Sequence, residues 1–483
     1  MARFIDRERE IAELQALIRA EGPAIALLYG RRRVGKTYLL DHVCKKHRAF
    51  YYLAADSTEE FNRRELLSAL GESTDREIDP RDYPTWRSVF RLLASMAQNE
   101  PLVVVLDELP YLMGTKDDIV SQLVAVWDRE VEGRPLKVIL CGSEISIMEG
   151  LGQGDSPLYG RISWAARLRP FDYLDSARMT PGREPRELAH IYGTLGGTPR
   201  FLDAIDEDEP FGDAVRRLVL SPRGEVHLQL STLLQQERGL RETGDYQAVL
   251  KAVAEGRTDT NEIANAVGLQ DRSYVVRRAL ETLESLVLIR RERDFDAGRR
   301  AAWRNRLTDH AVAFWYRFVH PNRARLERGE IGPVWETRVG PRMSDYMGWT
   351  VFEGLCAEAF LRHHERWGLP GSAEWSRWEG RDRNRRPIEI DIVARLDDGR
   401  LLTGEVKWSS RPVDTDVHFG LRRDLEDLGR SGQGWAREAV HTSAGHVYFS
   451  AAGFTDHFRQ RAGEEGLVLI DLEEMYVGYP AEG

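Results

Sequence analysis

Cysteine is scarce in this 483-residue chain: Cys44, Cys141 and Cys356 lie far apart, with neither the C-x-x-C spacing of a zinc site nor the density of a disulfide scaffold. A zinc knuckle and a disulfide-stapled fold are therefore excluded, and a reducing cytoplasm is the expected compartment. Long hydrophobic runs are missing too, since none approaches the roughly 18 residues that cross a bilayer, and the N-terminus (MARFIDRERE) is charged from the start. We expect a chain that is neither secreted nor membrane-spanning. Nor is positive charge in excess: 68 Lys and Arg against 78 Asp and Glu leave a formal charge of −10. No global positive field draws this protein to nucleic acid or anionic lipid, so any such binding must be local. What is present is a globular composition, 42% hydrophobic and 30% charged. At roughly 150 residues per domain, the length allows about three domains.

The N-terminal third reads as a nucleotide-binding core. Asp6 is expected to cap a helix with Glu8 and Glu10 in its first turn and Ile11, Leu14, Leu17 and Ile18 on one face. A buried strand, Ala24 to Tyr29, runs directly into Gly30-Arg31-Arg32-Arg33-Val34-Gly35-Lys36-Thr37-Tyr38, which is G-x-x-x-x-G-K-T between a strand and an apolar helix. Glycines at that spacing let the backbone fold around phosphate so that N–H groups and the next helix N-terminus face the anion. Lys36 then supplies a point charge to the β- and γ-phosphates, and the Thr37 hydroxyl ligates Mg²⁺. A second apolar strand ends in Asp107-Glu108, where the Asp can hold Mg²⁺ and the Glu can polarise the attacking water. A third, Val138 to Cys141, ends at Gly142-Ser143, and Ser143 is a candidate γ-phosphate sensor or simply a turn former.

Together these motifs resemble the AAA+/STAND nucleoside triphosphatases, specifically their archaeal-type ATPase branch, which also occurs in bacteria. Phe4-Ile5-Asp6-Arg7-Glu8 looks like the branch's F-x-x-R-E box, which implies Arg7 beside the adenine. Pro157-Leu158-Tyr159-Gly160-Arg161 looks like its P-L-Y-G-R segment, making Arg161 a candidate arginine finger or sensor, with a surface ion pair as the alternative. Gly196-Gly197-Thr198-Pro199 resembles the helical-lid motif, which brings Pro199 to the nucleotide, or else a plain turn between lid helices. The resemblance implies an α/β P-loop core over residues 1–175, a helical lid over 176–235, and ATP with Mg²⁺ as ligands.

Residues 240–310 read as a winged helix-turn-helix. Tyr246, Val249, Leu250 and Val253 stripe one helix, Thr260 to Gly268 form a short capped one, and Val276, Leu280, Leu283 and Val287 stripe a third. A two-stranded wing follows, turning near Gly298. Arg272, Arg277 and Arg278 on the third helix, with Arg290, Arg291, Arg293, Arg299 and Arg300 on the wing, make a local basic surface suited to DNA phosphates. The same module in such ATPases also serves as a relay packed on the core. Both readings stand.

Beyond an aromatic stretch (Phe314, Trp315, Tyr316, Phe318) that reads as core, residues 340–483 carry a second constellation. Glu389 and Asp391 share one face of an alternating strand, and Glu405 and Lys407 share a face of the next. A three-residue Asp397-Asp398-Gly399 loop with Gly399 left-handed puts Asp391 opposite Glu405 and Glu389 opposite Lys407. D-x(13)-E-x-K on adjacent strands is the pattern of PD-(D/E)XK nucleases, though no proline directly precedes Asp391. The segment resembles the nuclease-like, α/β restriction-endonuclease-like domain fused to archaeal-type ATPases. That resemblance implies that Asp391 and Glu405 bind Mg²⁺ or Mn²⁺ with Glu353 completing the shell, and that Lys407 positions the nucleophile. The expected function is an ATP-driven switch controlling a metal-dependent DNA endonuclease. DNA, a homo-oligomer and a protein trigger are its expected partners, and no membrane is. The alternative is a regulatory ATPase whose winged helix and inactive nuclease-like domain bind DNA or a protein.

Overall fold

A computed structural model of the chain describes residues 5–98, 100–113, 118–236, 243–298, 303–441 and 444–478. The chain divides into two compact units, Met1–Pro170 and Phe171–Gly483.

The first unit is built on a parallel sheet of β1 (Ala24–Tyr29), β2 (Ala49–Leu53), β3 (Leu102–Asp107), β4 (Leu136–Gly142) and β5 (Ile162–Arg167), in the order β2-β3-β4-β1-β5. β1, β3 up to Leu106 and β4 beyond Lys137 are continuous apolar runs because both their faces are covered. Ile25, Leu27, Val104 and Leu106 enter one cluster with Trp86, Phe90 and Leu93, whereas Ala26, Leu28, Val103 and Val105 enter another with Leu14, Ile18 and Leu39. Each fully buried Leu, Ile or Val contributes about 1.5–3 kcal/mol relative to exposure. Helix α1 (Glu8–Arg19) buries Leu14 and Ile18 as its stripe requires, but Asp6 does not cap it. Asp6 and Arg7 both have positive φ, 56° and 81°, which turns the chain away from the extended entry that a carboxylate cap needs. Arg7 holds the N-cap position instead and pairs with Asp6 at 3.2 Å.

The second unit begins with short helices, including Tyr173–Met179 and Pro185–Leu195. Three further helices follow (Thr243–Ala254, Thr260–Ala266, Ser273–Ser285), then an antiparallel ribbon of β6 (Ile289–Glu292) and β7 (Arg304–Leu307). Val249, Leu250, Ile263, Val276, Leu280 and Leu283 bury the stripes of those three helices. Phe314, Trp315, Tyr316 and Phe318 are all buried, as a core stretch should be. The chain ends in a sheet of β8 (Ser372–Arg381), β9 (Pro387–Leu396), β10 (Leu401–Lys407), β11 (Gly445–Ser450) and β12 (Val468–Asp471), in the order β12-β11-β10-β9-β8. Its β8-β9-β10 half is antiparallel and the rest parallel. The helix Asp416–Arg430 crosses from β10 towards β11 and buries Leu421, Leu425 and Leu428 in one cluster with Ile388, Ile390 and Tyr448. Among the described residues, no helix is long and apolar enough to cross a membrane.

Candidate functional site

In the first unit, β1 delivers the phosphate-type loop and helix α2 (Lys36–Cys44) receives it. Gly30 has φ of 154°, and a Cβ there would sit 2.3 Å from the Leu168 carbonyl oxygen, so a side chain is excluded on two counts. Arg33 and Gly35 are also left-handed, with φ of 67° and 95°, the kind of backbone that builds an anion nest. Val34 is buried beneath the loop, Arg31 is half-buried, and Arg32, Arg33 and Tyr38 are exposed. Lys36 is 6% exposed and its Nζ donates to the carbonyls of Gly30 at 2.8 Å and Arg31 at 3.0 Å. Burial pushes its pKa down, while Cys141, Glu108 and Asp107 oppose that. A buried cation at the mouth of a loop with left-handed backbone at Arg33 and Gly35 fits a nucleotide's phosphates.

Sheet order brings the acids to this loop, because β3 stands two places from β1 with β4 between. Thr37 Oγ1 donates to Asp107 Oδ2 at 3.1 Å, and the Tyr51 hydroxyl from β2 donates to the same oxygen. Thr37 and Asp107 are therefore close enough to share one Mg²⁺, which suits an ATP site. Glu108 is left-handed, with φ of 53°, and its carboxylate accepts from the Ser143 N–H at 3.2 Å and hydroxyl at 2.8 Å. Sequence reasoning missed Tyr51, although a signal existed: Phe50 and Tyr52 enter one core cluster, which leaves Tyr51 facing the Asp107 side. Burial pushes the Tyr51 phenol up, and Asp107 adds to it.

The other expected contacts of this unit are built into the fold. Arg7 is 8% exposed and donates to the Arg169 carbonyl, which ties the start of α1 to the segment after β5. Arg161 grips Asp128 through two hydrogen bonds of 2.8 and 2.7 Å and also donates to the Pro157 carbonyl. In the second unit, Pro199 opens a short helix just after Gly197, where a Cβ would lie 1.8 Å from the Phe171 carbonyl oxygen. Gly197 is thus required by packing, and Gly196 is favoured by its φ of 63°, whatever else Pro199 does.

The second constellation gathers on the β9–β10 hairpin. Gly399 has φ of 84°, and Leu402 lies opposite Ala394 and Gly404 opposite Ile392, the register expected of a three-residue loop. Lys407 Nζ donates to Asp391 Oδ2 at 3.1 Å and to Glu405, and the Val406 N–H donates to Asp391 at 2.9 Å. Burial, reinforced by Asp391, pushes Glu405 up to about 8. Burial lowers the Lys407 ammonium, but Glu405 and Asp391 outweigh that and its net shift is upward. Glu353, from the helix Phe352–His363, joins Glu389 and Asp391 in a group whose ligand oxygens lie within 4.8 Å of one another. Three such oxygens suit a hard divalent cation.

The β9–β10 ladder stops at Gly404 and Ile392, so neither expected strand pairing, Asp391 with Glu405 or Glu389 with Lys407, lies within it; Asp391 and Glu405 meet through Lys407, whereas Glu389 pairs with Glu379 of β8 and takes the guanidinium of Arg377. Arg377 also lies 3.4 Å from Glu353, and Arg306 of β7 lies 3.3 Å from it. Neither arginine was singled out from sequence, where nothing links β7 to Glu353.

On the basic surface, Arg272, Arg277, Arg278 and Arg290 are exposed. Arg290 pairs with Glu292 at 3.1 Å, while Arg291 pairs with Glu284 at 3.4 Å and lies against the Trp303 ring. Arg299 and Arg300 lie outside the described residues. The ribbon is docked on β8: Ser376 Oγ donates to the Arg293 carbonyl at 2.7 Å, and the Phe295 N–H to that of Arg377 at 2.8 Å.

Residues 4–205 match the family described as an ATPase domain predominantly from Archaea, and residues 315–417 match one described as Archaea bacterial proteins of unknown function. The chain is 26% identical over 426 residues to an uncharacterized protein of Methanocaldococcus jannaschii, covering 87% of this chain and 91% of that protein. Among solved structures, a Walker-type ATPase of Pyrococcus abyssi is 22% identical and covers 65% of this chain and 96% of its own, with a TM-score of 0.50. The ORC2 protein of Aeropyrum pernix, solved in ADPNP-ADP complexes, is 16% identical over 68% of this chain and 98% of its own, with a TM-score of 0.43. These matches support a P-loop ATPase domain in the N-terminal part of the chain, similar to the family described as predominantly from Archaea, and the Pyrococcus structure shares its fold.

Proposed function

We propose that this chain is a STAND-type, ATP-hydrolysing switch that controls a metal-dependent DNA endonuclease of the PD-(D/E)XK type carried in its second unit. The observation that supports the nuclease half is the hairpin on which Asp391 and Glu405 flank the Lys407 ammonium, beside a cluster with Glu353 and Glu389. Asp391, Glu405 and Glu353 are the ligands for Mg²⁺ or Mn²⁺, which when bound makes water acidic enough to attack phosphate. Lys407 orients that water and offsets charge on the phosphate.

In the ATPase half, the backbone from Gly30 to Tyr38 and the Lys36 charge hold the phosphates, and Thr37 and Asp107 hold Mg²⁺. Glu108 takes the proton of the attacking water, and Ser143, hydrogen-bonded to it, reports the γ-phosphate. Arg7 sits beside the base, Pro199 closes the lid, and Arg161 acts on a neighbouring subunit of a homo-oligomer once released from Asp128. A winged helix made of the three helices and the ribbon contacts DNA through Arg272, Arg277, Arg278, Arg290 and Arg291.

Coupling within the second unit is supported by the helix Pro185–Leu195. Arg186 stacks 4.6 Å over Trp408, next to Lys407, and Tyr192 donates to Glu358 on the Glu353 helix at 2.9 Å. A second reading, a regulatory ATPase with an inactive nuclease-like scaffold, is favoured by the pairing of Glu353 with two arginines. The test is cleavage of plasmid, linear and single-stranded DNA with Mg²⁺ or Mn²⁺, with and without ATP. Cleavage abolished by Asp391→Ala and altered by Lys36→Ala supports the switch. ATP hydrolysis with no cutting of any nucleic acid sinks the nuclease and leaves the scaffold.

A further inference from the structure

We infer that the β6–β7 ribbon is an autoinhibitory latch on the acidic site, with the Arg306 guanidinium supplying the positive charge at Glu353 that a divalent cation would supply in the working enzyme. The inference rests on the metal-dependent nuclease reading and states how that same site is regulated.

The charges set the argument. Glu353, Glu389 and Asp391 bring their oxygens within 4.8 Å of one another, and Glu405 adds a fourth carboxyl beside Asp391. Carboxylates this close need cations, above all Glu353, Asp391 and Glu405, which are half-buried where Glu389 is exposed. Lys407 serves Asp391 and Glu405, whereas Glu353 is served by Arg306 at 3.3 Å and Arg377 at 3.4 Å. Two guanidinium groups carry the charge of one divalent ion, so the same carboxylates cannot be fully paired with both arginines and also hold the metal tightly. The two arginines differ in what fixes them. Arg377 belongs to β8, the edge strand of the sheet, whose ladder to β9 runs on both sides of it, and its guanidinium also serves Glu389 of β9. Arg306 comes from the ribbon, whose own partner for it is Glu292 at 2.6 Å.

The ribbon is held to the sheet by a defined set of contacts. Arg304 bridges Asp294 at 2.9 Å and Glu379 of β8 at 3.0 Å. Ser376 and Arg377 exchange the two hydrogen bonds already described with Arg293 and Phe295. Phe295 is buried in one cluster with Trp378 and Trp435. These contacts are made to β8 and, through Phe295, to Trp435 of the helix Gly434–His441, and none is made to Glu353, so release of the ribbon withdraws Arg306 while Arg377 stays. Glu353 is then released to the cluster and the metal gains a ligand.

Mn²⁺ binding to the full chain without nucleotide or nucleic acid, followed by water-proton relaxation and paired with DNA cleavage rates, tests this. Arg306→Gln is expected to tighten the site lost in Asp391→Ala by about tenfold, on the order of 1.4 kcal/mol, and to speed cleavage. Arg304→Gln, which forms no hydrogen bond or ion pair with the cluster although its charge acts on Glu389, is expected to act in the same direction to a smaller extent, and covers the case that Arg306→Gln fails to fold. Arg306→Lys, which keeps the charge, should stay near wild type. If Arg306→Gln and Arg304→Gln leave Mn²⁺ affinity unchanged or weaken it while Asp391→Ala still removes the site, the latch is wrong and the metal site survives. If Asp391→Ala leaves Mn²⁺ binding intact, the metal reading fails and the latch with it.

Discussion

Replacing Gly30 with alanine tests the geometry of the phosphate loop directly. At φ of 154° the backbone lies where side-chain-bearing residues are rare, and the new methyl would meet the Leu168 carbonyl oxygen at 2.3 Å and its carbon at 3.2 Å. That carbonyl cannot easily yield, because the Leu168 N–H is itself tied to the Tyr29 carbonyl at 2.7 Å. Backbone strain alone costs about 1–3 kcal/mol, and the clash adds to it, so we expect a loss of about 3 kcal/mol or more. For a unit of this size that is a fall in melting temperature of about 6–12 °C. Gly133→Ala is the matched control: φ is 75° there but nothing lies within 4 Å, so strain of about 1–2 kcal/mol acts alone. Calorimetry of the full chain reads both, following the transition that ATP with Mg²⁺ raises. Wild type gains about 2.7 kcal/mol at a hundredfold excess of nucleotide over Kd, and Gly30→Ala should lose that gain while Gly133→Ala keeps it. A Gly30→Ala chain that melts like Gly133→Ala and still responds to ATP would refute the loop geometry.

Lys36→Ala should fold, since it removes a buried cation that burial already disfavours, but should abolish stabilisation by ATP in the same calorimeter. Trp86, fully buried in the first unit, should cost about 3–5 kcal/mol as Trp86→Ala, read as the fall in the midpoint of that unit's denaturant transition. Glu358 is half-buried, and desolvation, aided by Asp172, raises its carboxyl to about 7 against hydrogen bonds from Tyr192 and Tyr173. Because the folded state holds the proton more tightly, this group's stabilising contribution is complete below its unfolded pKa near 4.5 and fades as pH rises through about 7. Glu358→Gln should remove that decline, which melting curves from pH 5 to 8 will show. An unchanged slope would assign the pH dependence elsewhere.

Much of both sites could be read from local pattern. The apolar runs ending at Tyr29, Asp107 and Gly142 are strands because parallel strands with two covered faces must be continuously apolar. The hairpin register of β9 and β10 followed from loop length and one left-handed glycine. Local rules failed where a residue's partner lay across the sheet or far along the chain. Asp6 has the composition of a cap but not the backbone for one. Glu389 has the spacing to meet Lys407, yet Arg377 on its other side claims it.

The sequence by itself determined the chemistry available: a glycine loop with Lys36 and Thr37, acids at the end of β3, and a carboxylate–lysine hairpin, all specified by residue type at short spacing. Only the tertiary structure decided which charges meet. Strand order brought Asp107 to Thr37 and Tyr51 to Asp107, and the docking of a ribbon on β8 brought Arg306 to Glu353 across 47 positions of chain. Periodicity assigns a side chain to a face, but an ion pair needs two faces to be packed together, and that is settled by burying Phe295 and Trp435 against one another, not by any pattern within either strand.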